Sequence, residues 1–273
     1  MGFSLGAVFS WGFSDFLGGY ATRRANAFLF AFLVNVSGFV AMFTLAGTTH
    51  ATLPPPHAIA WAVAAGASGG ASLALFYKAL SAGNMGVTAP LAAVLSAAIP
   101  TVFAIFTEGM PGYLRIAGFA LAVIGLWLIT REAQGTGAPR GIGLAIAAGL
   151  GFAGFYICAK QAGNESAVWI ATFSRVGGLL VTGSVVLILR PFREITKVGF
   201  AWALLAGCMD SLGTILYVRA TQTGRLDEAV VISSLYPAIT VLLAALLLSE
   251  RFPRWRFVGL VAALASVPLI ATG

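Results

Sequence analysis

The feature that most constrains this chain is a series of long apolar runs separated by short polar breaks. Ten such runs occur, each about 20 residues long, which is the length that a helix needs to cross the hydrocarbon core of a bilayer. Backbone polar groups in lipid must be bonded within the membrane-spanning structure, so continuous runs predict helices rather than alternating strands. The predicted spans are 3–20, 26–46, 57–79, 85–107, 112–131, 141–161, 166–189, 198–221, 226–248 and 254–271.

The scarcity of charge excludes several other classes of protein. Hydrophobic residues make up 59% of the chain and charged residues 9%, whereas a soluble domain carries roughly 25% charge. So little charge cannot solvate the surface of a compact soluble protein, and the hydrophobicity excludes a disordered chain. The net charge of +7 does not indicate nucleic-acid binding, because the basic residues stand singly between apolar runs. We therefore predict an all-α integral membrane protein.

The chain also repeats itself with an offset of about 140 residues. Tyr77, near the end of the third span, corresponds to Tyr217 near the end of the eighth. Glu108 and Glu250 follow the next apolar span in each copy, and each is followed three residues later by a proline. These correspondences predict two related halves.

The predicted repeats are 1–135 and 140–273, each with five spans. Because five is odd, the second repeat must enter the membrane from the opposite side. Inverted-topology repeats of this kind are a hallmark of secondary transporters, in which the halves exchange shapes to turn an outward opening inward. A fused pair of halves completes the symmetric unit, which is compatible with a monomer.

Several motifs in this doubled order resemble the drug/metabolite transporter superfamily. They are the Trp11-Gly12 pair, the Tyr-x-x-Ala/Leu steps after spans three and eight, and the segment from Tyr236-Pro237 to Ser249-Glu250-Arg251. Over nearly the whole chain they resemble an EamA-type ten-span carrier. The resemblance implies a central cavity lined by spans one to four and six to nine. It also implies export of small metabolites, among which amino acids are prominent in the YddG-like branch.

Motifs for other kinds of chemistry are absent from the sequence. There is no GxxxxGK[ST] nucleotide loop and no HExxH. The two histidines and two cysteines do not have the spacing of a metal site. We therefore expect secondary transport by alternating access, without ATP, a cofactor, a metal or an enzymatic activity.

Three ionisable residues lie well inside the predicted spans: Asp15, Arg175 and Asp210. A charge at the centre of a membrane helix costs about 2.5–3.5 kcal/mol on insertion scales, so each needs a partner or a function. Arg175 and Asp210 can form a structural ion pair between spans seven and eight. Alternatively, Asp15 or Asp210 meets a substrate amine or a coupling proton.

Aromatic and hydroxyl side chains on the cavity spans are further candidate substrate contacts. A tyrosine offers an apolar face and one hydrogen bond, which suits a zwitterion with an apolar side chain. Packing or anchoring at the lipid interface is the alternative role for each of them. The candidates are Trp11, Tyr77, Tyr156, Trp169, Tyr217, Ser233 and Tyr236, with Asn35, Asn84 and Ser234 as additional polar positions.

Two prolines, Pro100 and Pro237, lie in the corresponding spans four and nine. A proline within a helix leaves a carbonyl without its donor and permits a bend. We predict that these residues are the hinges of gating helices, with a static kink as the alternative.

Basic residues are distributed unevenly between the two sides of the predicted membrane. Eleven lie in loops that follow odd-numbered spans and four on the other side. The positive-inside rule then places both termini outside, although the resemblance implies termini inside; we favour the charge count. We expect the bacterial inner membrane, with a small solute and lipid as the partners.

The preferred function is export of amino acids or similar small metabolites. A carrier for drugs or hydrophobic cations would use Asp15 and Asp210 as cation sites. An intramembrane enzyme or a scaffold subunit is a third alternative, but neither has a physical need for the repeat.

Overall fold

The computed structural model describes residues 1–22, 25–82, 85–130, 141–191, 197–247 and 253–272. Within these ranges all regular structure is helical. The predicted boundary between the repeats, 135–140, lies outside the described residues, as do Asn84 and Glu250. The helices are α1 Gly2–Ala21, α2 Ala27–Thr48, α3 Pro56–Ala82, α4 Met85–Glu108, α5 Tyr113–Thr130, α6 Ile142–Gln161, α7 Ala167–Leu189, α8 Lys197–Thr223, α9 Leu226–Ser233, α10 Tyr236–Leu247 and α11 Arg254–Thr272.

Equivalent polar caps begin the second helix of each half. The Asn26 side chain accepts hydrogen bonds from the backbone N–H groups of Phe28 and Leu29, at 3.0 and 3.3 Å. The Ser166 hydroxyl accepts one from Trp169 at 3.5 Å and begins α7. Such caps contribute about 1 kcal/mol each. Because the two caps are 140 residues apart, they fix the same register in α2 and α7.

The length and surface of the helices suit a membrane. Among the described residues, five helices are long and apolar enough to span one, and Ala92–Glu108 and Tyr113–Ile129 are shorter apolar helices. Large apolar side chains also face outward, with Phe106 84% and Ile188 78% exposed. An apolar surface of this extent matches lipid rather than water. The spanning helices are Ala27–Thr48, Pro56–Phe76, Ile142–Gln161, Ala167–Leu189 and Gly199–Thr223.

The predicted continuous span 226–248 is wrong, because two helices occupy this stretch. α9 ends at Ser233, and α10 begins at Tyr236. Pro237 has no N–H to offer the Ser233 carbonyl, and its ring excludes that carbonyl from the usual helical position. The backbone N–H of Leu235 bonds instead to the Ile232 carbonyl, at 3.0 Å, in a tighter turn. Pro100, in contrast, lies inside the continuous helix α4.

Helices from the two halves pack against each other in matching pairs. α1 packs against α8 as α6 packs against α3, and α2 packs against α8 as α7 packs against α3. α1 also packs against α10 as α6 packs against α4. Two further pairs, α2 with α7 and α5 with α11, bring equivalent helices together. The set of packed helix pairs is therefore nearly the same when each helix is replaced by its equivalent in the other half.

Glycines allow the closest approaches in this packing. A Cβ on Gly66 of α3 would overlap the carbonyl of Ser174 on α7. A Cβ on Gly207 of α8 would likewise overlap the Val34 carbonyl and the Ser37 hydroxyl of α2. Small residues are the usual means by which membrane helices approach so closely. The two crossings use equivalent helices, so they form a repeated scaffold.

Candidate substrate-binding site

Five aromatic residues meet where α1, α6, α8 and α10 converge. Trp11 packs against Phe155, Tyr156, Tyr217 and Tyr236, with ring centroids 5.7–6.2 Å apart. The closest pair is Tyr156 and Tyr217, at 4.9 Å. We call these five residues the aromatic cluster. It offers a broad apolar surface that carries polar tips from three tyrosines.

Specific contacts hold the cluster in place. The Trp11 indole Nε1 donates a hydrogen bond to the backbone carbonyl of Asp210 at 3.1 Å. Gly213 leaves room for the indole, since a Cβ there would lie 2.5 Å from the ring. The Tyr217 hydroxyl donates to the backbone carbonyl of Tyr156 at 3.0 Å, and Tyr217 is fully buried. Tyr217 therefore positions the other rings; Trp11 and Tyr156 are also buried, and Phe155 and Tyr236 are the half-buried members of the cluster.

The break between α9 and α10 presents two buried hydroxyls to this region. Ser233 and Ser234 are 0% and 2% exposed, and neither hydroxyl has a hydrogen-bond partner among the described residues. The Tyr156 hydroxyl lies close enough to Ser234 to interact with it. An unpaired buried hydroxyl costs about 1–3 kcal/mol. Two at one helix break make this part of the structure a candidate for ligand binding.

Asp15 lies one helical turn beyond Trp11, on the same face of α1. It forms no hydrogen bond or ion pair with any side chain that the structure describes. Its carboxylate lies within electrostatic range of Asp210 and of the Tyr156 hydroxyl. Asp15 therefore places a carboxyl group without a described side-chain partner beside the aromatic cluster.

Arg175 and Asp210 form the ion pair that their sequence positions predict. The Arg175 Nη1 donates to the Asp210 carboxylate. Its Nη2 donates to the Thr214 hydroxyl at 2.6 Å, and that hydroxyl donates to the Asp210 carbonyl at 3.0 Å. Thr214 was not among the predicted residues, although its position one turn after Asp210 places both on one face of α8. The charge of Arg175 is thus neutralised within the helix bundle.

Other predicted contacts lie elsewhere or outside the description. The Trp169 indole donates to the Ala51 carbonyl at 2.9 Å and stacks on Phe173, away from the aromatic cluster. The side chain of Tyr77 lies outside the described residues. Phe155 was not predicted as a contact, although it directly precedes the predicted residue Tyr156.

A set of charged side chains lies at the end of the molecule where α4 and α6 end and α9 begins. The Lys160 ammonium lies 3.4 Å from the Glu108 carboxylate. Glu108 also accepts a hydrogen bond from the Leu226 backbone N–H at 2.8 Å, so it caps α9. Arg225 bonds to the buried Asp227, which raises the pKa of the guanidinium above its ordinary value. These groups, the polar end cluster, anchor the start of α9 to α4 and α6.

No grouping of three or more histidine, cysteine or acidic residues within the described part of the chain is arranged to hold a metal. The site consists of aromatic faces, hydroxyls and a carboxylate. Such a set of groups binds and orients a small solute by packing and hydrogen bonding.

Comparisons with known proteins agree with this architecture. A solved structure described only as "Crystal structure of protein" aligns with a TM-score of 0.84 over 98% of this chain and 96% of its own. The two sequences are 13% identical, so the likeness shows the fold alone. No curated protein matches the sequence. The EamA-like transporter family matches residues 1–131 and again residues 139–272. The chain therefore belongs to the EamA-like transporter family, within the drug/metabolite transporter superfamily, and is an integral membrane transporter.

Proposed function

We propose that the protein exports small metabolites, chiefly amino acids, by alternating access without ATP. The observation that carries this proposal is the aromatic cluster beside the unpaired hydroxyls of Ser233 and Ser234. An amino acid with an apolar side chain presents both an apolar body and a polar head, and it matches such a surface.

The proposed mechanism uses ten spans in two inverted repeats around a central cavity. The matching helix pairs, such as α1 with α8 and α6 with α3, support it. If the halves exchange conformations, the same pairs are kept while the opening moves from one side of the membrane to the other. Movement of this kind requires no ATP, because the solute gradient drives it.

Gating is proposed to take place at the two prolines. The break before Pro237 already separates α9 from α10, so small backbone rotations at Ser234 and Leu235 can move one helix relative to the other. Pro100 lies in the corresponding helix of the first half, where α4 is continuous in this conformation. We propose that the two positions alternate between bent and straight.

A second candidate function is efflux of hydrophobic cations. The unpaired carboxylate of Asp15 beside aromatic rings favours it, because both groups attract a cation. Charge-neutralising substitutions of Asp15 would then abolish transport of cations only.

Counterflow in proteoliposomes tests the proposal. Vesicles loaded with a mixture of unlabelled amino acids are diluted into labelled ones, with and without a pH gradient. We expect saturable entry of label that an excess of one unlabelled amino acid suppresses, and independence from the pH gradient would indicate facilitated exchange. Entry no greater than in protein-free vesicles, with the protein shown to be folded, would contradict amino-acid transport and lead to a panel of cations.

The proposed location is the bacterial inner membrane, with the chain acting as a monomer and both termini outside. The excess of basic residues in the loops after odd-numbered spans supports this orientation. A reporter that is active only outside the cytoplasm, fused to Gly273, should be active. An inactive reporter on a transport-competent protein would reverse the orientation.

A further inference from the structure

We propose that the polar end cluster is a latch that closes one end of the solute path. It joins the end of α4 to the ends of α6 and α8 and to the start of α9. These contacts must open before a solute can leave the aromatic cluster in that direction. The inference rests on the proposed alternating access and adds the residues that keep one side of the carrier closed.

The helix ends at this place are joined by reciprocal polar contacts. The Lys160 ammonium, at the end of α6, lies 3.4 Å from the Glu108 carboxylate at the end of α4. It also donates a hydrogen bond to the Thr221 carbonyl of α8 at 2.6 Å. The Arg225 guanidinium, just before α9, donates to the carbonyls of Glu108 and Gly109 at 2.8 and 2.6 Å. Two cationic side chains thus tie four helices together.

A second contact between α6 and α8 lies one helical turn further into the bundle. Tyr156 is four residues before Lys160 on α6, and Tyr217 is four residues before Thr221 on α8. The Tyr217 hydroxyl of α8 donates to the Tyr156 carbonyl of α6, whereas Lys160 of α6 donates to a carbonyl of α8. The Tyr217 hydroxyl also lies within electrostatic range of Glu108. The polar end cluster therefore lies directly beyond the aromatic cluster.

Buried apolar side chains fill the space between the two clusters. Ala104 of α4 and Ala220 of α8 pack with Leu226 and Val230 of α9, in the same core as Tyr217. Each of these five residues is at most 4% exposed. They therefore close the space between α4, α8 and α9 in this conformation.

The other side of the aromatic cluster is more open. Asp210 lies two turns before Tyr217 on α8, on the side away from the polar end cluster. Its side chain is 27% exposed, whereas Tyr217 is fully buried. The Asp210 carboxylate contacts Arg175 of α7 and lies within electrostatic range of Asp15 of α1, so its exposed part faces the space among these helices. The conformation is therefore closed at the polar end and has accessible space on the opposite side of the aromatic cluster.

The first half of the sequence does not repeat the cations of the latch. Glu108 has a counterpart in Glu250. The positions equivalent to Lys160 and Arg225, at offsets of 139 and 140, are Ala21 and Met85. The charged latch is therefore a feature of one side of the carrier, and the closed state on that side depends on ionic strength.

The accessibility of a cysteine behind the latch tests the inference without transport. Ala104→Cys, one turn before Glu108 on α4, is introduced into a protein in which Cys158 and Cys208 are replaced by serine. Its labelling by a small water-soluble thiol reagent is timed. Because Ala104 is fully buried, labelling requires opening, and its rate follows the population of the open state. We expect slow labelling while the latch is intact.

Two substitutions weaken the latch to different degrees. Glu108→Gln removes the ion pair but keeps an acceptor for the α9 backbone, and it should speed labelling about twofold to fivefold. Lys160→Met also removes the hydrogen bond to α8 and should speed labelling about tenfold or more. Lys160→Arg keeps the charge and its donors, so labelling should stay slow. Added salt should speed labelling of the intact latch and have little effect once Glu108→Gln is present.

Matched controls separate a latch from general loosening. Glu165 lies at the same end and contributes its backbone carbonyl to Gln222, so Glu165→Gln should leave labelling of Ala104→Cys unchanged. A cysteine at Ala206, which is buried in the core that α8 forms with α1 and α2, should not be labelled faster in either latch variant.

Unchanged labelling of Ala104→Cys in a folded Lys160→Met protein would overturn the inference. Equal acceleration at Ala206→Cys would also overturn it, because the substitutions would then loosen the whole bundle. Because accessibility is measured without transport, absence of counterflow alone would count against the proposed function and not against the latch.

Discussion

The two halves of the molecule share their packing positions but differ in the polar groups at the centre. The caps at Asn26 and Ser166 begin α2 and α7 at equivalent positions. Asn35 in α2 therefore corresponds to Arg175 in α7. Asn35 donates a hydrogen bond to its own helix, at the Ala31 carbonyl 3.0 Å away. Arg175 instead reaches across to Asp210 on the neighbouring helix. Asp210 has no acidic counterpart in the first half. It lies seven residues before Tyr217, and the residue seven before Tyr77 on α3 is Gly70.

The fourth span shows the same contrast between the halves. In the first half it is the continuous helix α4, and in the second it is divided into α9 and α10. Packing that repeats supports the proposed exchange of conformations, and polar groups that do not repeat support the proposal of one binding site rather than two. The fold therefore derives from the shared positions, whereas the groups of the candidate site do not repeat: Trp11 and Asp15 come from the first half, and Arg175 and Asp210 from the second.

The largest expected effect comes from breaking the ion pair that only the second half contains. Arg175→Met leaves the Asp210 carboxylate without its partner and should lower the free energy of unfolding by about 3 kcal/mol. The matched change Asn35→Ala removes a bond within one helix and should cost about 1 kcal/mol. Denaturant unfolding in detergent measures both. Adding Asp210→Asn to Arg175→Met should recover part of the loss; equal losses at Arg175 and Asn35 would remove the contrast.

The repeated scaffold predicts equal effects at its two glycine crossings. Gly66→Ala and Gly207→Ala force overlaps with the neighbouring helix, and each should cost about 1–3 kcal/mol. Gly19→Ala, which has open space around it, should instead stabilise α1 by up to about 1 kcal/mol. The melting temperatures of the three variants test this. A large loss of stability at one crossing and none at the other would show that the two crossings do not contribute equally to the stability of the fold.

Substitutions of the two prolines test whether the difference between α4 and the divided helix α9–α10 matters for transport. Pro237→Ala restores the missing N–H, favours one continuous helix, and should lower the rate of counterflow by about tenfold. Pro100→Ala should lower it about threefold, since it removes a bend that this conformation does not use. Rates must be compared at equal amounts of folded protein. Unchanged rates in both variants would refute the hinge hypothesis.

The smallest expected effect concerns the polar end cluster. Glu108→Gln removes the partly exposed ion pair with Lys160 but keeps an oxygen that can accept from Leu226, so it should cost less than about 1 kcal/mol. Glu108→Ala also removes the cap of α9 and should cost about 1 kcal/mol more. Melting curves at low and high salt separate the two contributions, because salt weakens only the ion pair. A Glu108→Gln protein as unstable as Glu108→Ala would show that charge, and not capping, holds this end.

The sequence predicts the helices well because apolar runs of spanning length have few alternatives in lipid. It also predicts the pairing of Arg175 with Asp210, because pairing lowers the free-energy cost of placing two opposite charges inside the membrane. Pro237 predicted a bend in the ninth span, and the structure has a break just before it. The tight turn at Ser234 and Leu235 that divides the span into two helices was not predicted, because the apolar run continues through it. Trp169 was grouped with the site by its span alone, and its position along α7 places it at the end of the bundle.

The central claim, that the solute occupies the helix break of the second half, is tested most directly by protection of one cysteine. Ser234→Cys is introduced into a transport-active protein in which Cys158 and Cys208 are replaced by serine, and its labelling by a small water-soluble thiol reagent is timed. We predict that labelling occurs and that a saturating concentration of the exchanged solute slows it about tenfold or more, while a cysteine at the exposed loop residue Asn164 is labelled at the same rate with and without solute. Labelling at the same rate with and without solute would contradict the account.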